Sequence, residues 1–248
     1  MSATPPPPPP PPPSPDGGTP PPPTGGYSVS DAFNFGWTKF QQNVGAWLGG
    51  TIVLFLIGVA IQVVFRLISA AFFIAADAGN GTTNSGVLII GSIGTLLLGI
   101  AFIVVGWIIS VQFVRAGLSN TDTGRLEFGK FFDTRLLGPA ILAALIVAVF
   151  TAIGFVLCII PSLIVIFFAQ YCIYFVLGED MGPWDAIKAS VTFVNKHLAN
   201  ILVLFLATLL ALLIGALLCG VGLLVAYPVV LLAHAYTFRT LRGEPVAA

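Results

Sequence analysis

Charge is what this sequence has least of. Only 8% of its 248 residues are Asp, Glu, Lys or Arg, against 57% hydrophobic, and ten acidic side chains cancel ten basic ones. A soluble domain of this length has to cover a core with polar surface, and too little is present. Zero net charge also removes any general electrostatic pull toward nucleic acid, so no nucleic-acid partner is expected. Cysteine is scarce as well, and Cys158, Cys172 and Cys219 all lie in apolar runs. With no CxxC pair and no Cys/His spacing they offer no metal site, and all three are expected as free thiols. There is no HExxH, no GxSxG and no P-loop. Every Asp and Glu falls outside the predicted spans. No catalytic residue, cofactor or metal is therefore expected, and the chain reads as non-enzymatic. The N-terminus lacks the basic segment and short apolar core of a secretory signal.

Long apolar sequence is what is abundant. A bilayer core of about 30 Å takes about 20 helical residues. Gly138 to Gly178 has no charged residue, and Pro161 sits near its middle, so it reads as two spans turning at Cys158 to Pro161. Leu198 to Phe238 reads as a second hairpin, turning at Cys219 to Gly222. Upstream, Val44 to Ala76 and Gly86 to Val114 hold one span each, separated by the polar stretch Asp77 to Gly86. The predicted fold is all-α, a polytopic bundle of six transmembrane helices.

The basic residues test this count. With the N-terminus inside, Lys39, Arg115, Arg125, Lys130, Arg135, Lys188, Lys196, Arg239 and Arg242 all fall on the cytoplasmic side, and only Arg66 lies elsewhere. That asymmetry puts both termini in the cytoplasm. Trp37, Trp47 and Trp184 fall at the same interface, where indoles anchor.

Two segments there have helical amphipathic spacing. Val29, Phe33, Trp37, Phe40 and Val44 form one stripe, with Ser28 and Asp31 spaced as a capping box. Trp184, Ile187, Val191, Val194 and Leu198 form another, with Pro183 at the first helical position and Asp185 in the first turn. A weaker stripe, Phe128, Phe131, Phe132 and Leu136, precedes the third span. These predict interfacial helices, and with them a threefold repeat over 27–117, 123–178 and 183–242. Residues 1–26, with unbroken proline from Pro5 to Pro13 and from Pro20 to Pro23, form an extended tail, and 243–248 a short C-terminal one. The proline tail is a stiff spacer or a docking ligand for proteins.

The stretch CIIPSLIVIFFAQYCIYFVLGEDMGPWDAIKAS resembles a motif of the bacterial six-span membrane proteins grouped with the membrane domain of glycerophosphoryl diester phosphodiesterases. The features are Pro161, the aromatic span Tyr171 to Phe175, Glu179 and Asp180, Gly182, and Ala186 to Ser190. YSVSDAFNFGWTKFQQNVGAW is similar to that family's opening helix, and the proline-rich leader to actinobacterial proline- and glycine-rich transmembrane proteins. The resemblance spans about residues 27 to 242. It implies a multi-pass location in a bacterial plasma membrane and the non-catalytic part of the phosphodiesterase.

Five polar residues are predicted at membrane depth: Gln62, Arg66, Gln112, Gln170 and His234. Intramembrane ionisable groups default to a functional hypothesis, whereas amides there more often bond neighbouring helices. Two functions stay open. One is an organiser or accessory factor acting through its cytoplasmic helices, its proline tail and membrane lipids. The other is a small transporter or channel for a solute or lipid, lined by those five residues. Gly45-x-x-x-Gly49 and the glycines of GSIGTLLLGI also allow self-association into a homo-oligomer.

Overall fold

Ser28 starts the first helix. Its hydroxyl accepts from the backbone N–H of Ser30 at 3.2 Å, and Asp31 sits in the first turn, where the helix dipole favours an acid. A computed structural model describes residues 27–77, 85–126, 129, 131, 133–157, 159–218 and 222–247. The proline tail, the polar stretch 78–84, and Cys158 and Cys219 lie outside the described residues. Helix α1 (Val29–Gln42) ends at Asn43, and α2 (Val44–Asp77) follows at once. Then come α3 (Ser85–Thr123), α4 (Leu137–Leu157), α5 (Ile159–Ala169), α6 (Cys172–Glu179), α7 (Pro183–Lys196), α8 (Leu198–Leu217) and α9 (Leu223–Leu241). Helices α2, α3, α4, α8 and α9 are each long and apolar enough to cross a membrane. So is the pair α5–α6 taken as one span. The protein is an all-α polytopic bundle with six spans and two short amphipathic helices, and the described residues contain no strand.

The core sits at one end. Buried side chains gather where α2, α4 and α8 begin and where α3, α6 and α9 finish: Trp47, Val111, Ala140, Val176, Ile201 and Phe238. Toward the hairpin ends the bundle loosens, and Phe55, Leu67, Phe155, Val156 and Leu217 are exposed. A water-soluble protein does not show such a surface, whereas hydrocarbon is a good solvent for it.

The packed end is organised by helices clasping spans that finish there, α9 and α5–α6. Helix α1 runs antiparallel along α9. Tyr27 meets Thr237 at 2.9 Å, and a Cβ on Gly36 would lie 2.5 Å from the Val229 carbonyl. Helix α7 clasps the α5–α6 span at its break, where Ser190 Oγ donates to the Phe168 carbonyl at 2.7 Å and accepts from the Tyr171 N–H at 3.2 Å. A side chain thus takes the place of backbone bonds lost at the interruption.

Both clasping helices share one register. Buried Ala32, Gly36, Lys39 and Phe40 of α1 match buried Ala186, Ser190, Phe193 and Val194 of α7 at a constant offset of 154 (186 minus 32, 194 minus 40). The offset continues past the corner residues Asn43 and His197, whose backbone angles nearly coincide, to buried Trp47 and Ile201.

The stretch before α4 departs from expectation. Among its described residues Gly129 and Phe131 are 3-10 helical and 135–136 form a turn, with no α-helix before Leu137, while Phe128, Lys130 and Phe132 lie outside them. Asp133 accepts from the Arg135 N–H at 2.9 Å, a local turn that competes with helix, and Leu136 takes a left-handed φ of 61°. Phe131, expected on a headgroup-facing stripe, is fully buried edge-on against Trp47 and Phe113. Trp47, expected as an interfacial anchor, is therefore a core residue, whereas Trp37 and Trp184 are exposed. Their helices lay one face on the bundle and leave these indoles partly open, Trp184 beside Phe150 and Lys188 and Trp37 beside Phe40, but the turn at Asn43 swings Trp47 inward.

Candidate functional site

Each polar residue predicted at membrane depth has its own surroundings. Gln112 donates from Nε2 to the Asp133 carbonyl at 2.9 Å, tying α3 to the segment before α4. Gln170 donates to the Phe167 carbonyl at 2.7 Å, closing the turn at the α5–α6 break. His234 Nε2 and Thr208 Oγ1 are 3.0 Å apart and tie α9 to α8. Gln62 is half-buried and Arg66 exposed, both toward the hairpin half of α2. Of the three that bond, His234 does so between two spans, the usual behaviour of polar groups in membrane bundles, whereas Gln112 ties a span to the segment before α4 and Gln170 bonds within its own span.

Charge converges at the packed end. Arg239, 15% exposed, is held between Asp122 at 2.8 Å and Glu244 at 2.5 Å. Arg242 pairs with Glu179 at 2.8 Å and Glu244 at 2.9 Å, and its guanidinium lies over the rings of Phe175 and Phe238. The Ala247 N–H donates to the Thr121 carbonyl at 2.8 Å. Glu244 and Ala247 thereby fasten the C-terminal segment to α9 and to the end of α3. Nearby, Arg115 meets Asp133 at 3.2 Å and also donates to the Arg135 carbonyl, while Arg135 reaches Asp180 at 3.4 Å. Bidentate and shared guanidinium contacts of this kind fix geometry as well as charge. Burial pushes the Tyr27 phenol up to about 12, so it stays protonated opposite Thr237. His197, at the α7–α8 corner, is pushed below the ordinary histidine value, by burial first and then by Lys196.

Sequence reading missed three parts of this collar. Asn43 joins the α1–α2 corner to the segment after α3: its Oδ1 accepts from the Leu126 N–H at 3.1 Å and its Nδ2 donates to the Lys39 carbonyl at 3.1 Å. Ser190 holds the helix break, and Glu244 links two arginines. For Ser190 a signal existed, since the position 154 earlier is the small residue Gly36.

A groove of about 780 Å³ opens between α3, α4 and the α5–α6 span. Its lining is largely apolar and includes none of the five predicted polar residues. Among the described residues no cluster of His, Cys, Asp or Glu is placed to hold a metal. Cys172 is buried as a free thiol.

No protein-family model matches the chain, and no solved structure matches it. Three curated proteins do: an uncharacterized protein of Mycobacterium bovis and uncharacterized proteins of two Mycobacterium tuberculosis strains, one of them Rv2560. Each is 33% identical over 234 residues, an alignment covering 89% of this chain and 70% of the relative.

Proposed function

Because the chain belongs to the family of these uncharacterized mycobacterial proteins, we propose that it is a non-enzymatic organiser in the bacterial plasma membrane, with both termini in the cytoplasm. The observation that carries this reading is the one-sided collar. The described ion pairs all lie at the packed end, where the C-terminal segment and the two amphipathic helices also dock. A charged platform on the cytoplasmic face, in a chain that also carries a proline-rich segment, is suited to binding proteins. At membrane depth, by contrast, Gln170 and His234 spend a hydrogen-bonding nitrogen on neighbouring groups of the protein. The resemblance to non-catalytic phosphodiesterase membrane domains supports the same reading.

Affinity purification in mild detergent, with and without residues 2 to 25, tests it. The expected result is a defined set of co-purifying proteins that shrinks when the tail is removed. Solute flux in proteoliposomes that Gln170→Leu or His234→Leu abolishes would overturn it in favour of a transporter.

Orientation has its own test. In a background with the native cysteines replaced, cysteines at exposed Gln42 and Asn195 should react with an impermeant maleimide only after the membrane is opened. A cysteine at position 80 should react in intact cells. Labelling in the reverse order would place the collar outside.

A further inference from the structure

We propose that the groove between α3, α4 and the α5–α6 span holds one acyl chain of a membrane phospholipid. Its shape comes from α4, where Ala144, Ala148 and Ala152 stand one turn apart and leave a channel along the helix. Its chemistry comes from its hydroxyls. Ser110 donates to the Gly106 carbonyl at 3.0 Å, Thr151 to Val147 at 2.8 Å and Ser162 to Ile159 at 2.6 Å. With those donors turned back on their own helices, the lining presents mostly carbon. Water would find few partners there, and an empty groove would forfeit the dispersion contacts of its walls. Its volume of about 780 Å³ is in the range of small-molecule sites. From Ala144 to Phe155 it follows α4 for about 16 Å at the helical rise. That is roughly half of a 30 Å hydrocarbon core, or one leaflet's chain. At this depth the bilayer itself supplies the occupant in excess.

Toward the packed end, Arg115 with Asp133 and Arg135 with Asp180 form charge-balanced pairs on the flanking elements. Retention should therefore follow the chain and be indifferent to headgroup charge. This inference does not depend on the organiser role.

Native mass spectrometry of the protein, delipidated and then offered phosphatidylcholine or phosphatidylglycerol, is the test. The wild type is expected to retain one phospholipid of either kind. Ala148→Phe is expected to lower retention about tenfold or more, a loss of about 1.4 kcal/mol or more in binding. Leu206→Phe, on the exposed face of α8, should retain lipid as the wild type does. Circular dichroism checks that both variants are folded. If Ala148→Phe does not fold, chain-brominated lipid replaces it. Quenching should then fall most on the emission that Trp107→Phe removes, because Trp107 lines the groove. A wild type without bound lipid, equal retention in Ala148→Phe and Leu206→Phe, or no selective quenching of Trp107 would overturn the proposal. So would a dimer that Ala148→Phe converts to monomer, since a second copy would then fill the groove.

Discussion

Gly36→Leu should release α1 from the bundle. The first atom added at this position would sit 2.5 Å from the Val229 carbonyl oxygen and 3.3 Å from the Ala233 amide nitrogen. Both are helix backbone, so neither can swing aside, and the two helices must part. Overpacking of this kind costs about 1–3 kcal/mol and more where the neighbour is rigid. Separation also exposes Ala32 and Phe40 and breaks the Tyr27–Thr237 contact. The expected readout is a lower melting temperature in detergent, with α1 cut early in limited proteolysis. Gly45→Ala is the matched control. Nothing lies within 4 Å of that position, so alanine should be neutral or raise stability by about 0.5–1 kcal/mol. If Gly36→Leu melted with the wild type, α1 would not rest on α9 but lie free at the membrane surface.

Phe131→Ala should be nearly as severe. The ring is fully buried, with centroids 5.7 Å from both Trp47 and Phe113, and it fills the space over Gly50. Removing a buried phenyl ring typically costs about 3–5 kcal/mol. A phenylalanine lying among headgroups would cost within about 0.5 kcal/mol. Thermal unfolding therefore separates the two placements cleanly, and a near-neutral result would return Phe131 to the surface.

The fold was legible because apolar length and charge asymmetry are one-dimensional signals. The runs Gly138–Gly178 and Leu198–Phe238 hold two spans each, Val44–Ala76 and Gly86–Val114 one each, and the basic residues between them set the count at six. The two amphipathic helices were legible through their caps and stripes. What a stripe does not reveal is which apolar surface it meets. Phe33 and Phe40 suit headgroups and a neighbouring helix equally, so the docking of α1 on α9 was invisible. Phe131 failed for a related reason, since four apolar positions at helical spacing cannot report that Asp133 turns the chain. The staples were legible as polar residues in spans but not in their partners: Gln112 bonds a carbonyl 21 positions away, and His234 a hydroxyl 26 positions away. The groove was illegible because alanines in an apolar helix look alike whether they face a neighbour or a gap.

The antiparallel seating of α1 on α9 also orders events during synthesis. Helix α1 is made well before α9, on which most of its seat lies. Until α9 is made the apolar stripe of α1 lacks most of its seat, and its tryptophan and phenylalanines suit it to wait in the headgroup layer. Completion of α9 lets α1 take its seat, and the end of α9 with the residues after it brings Arg239, Arg242 and Glu244 to lock the collar. A chain stopped short of α9 would display α1 unseated, giving a membrane protease a direct means of telling finished molecules from unfinished ones.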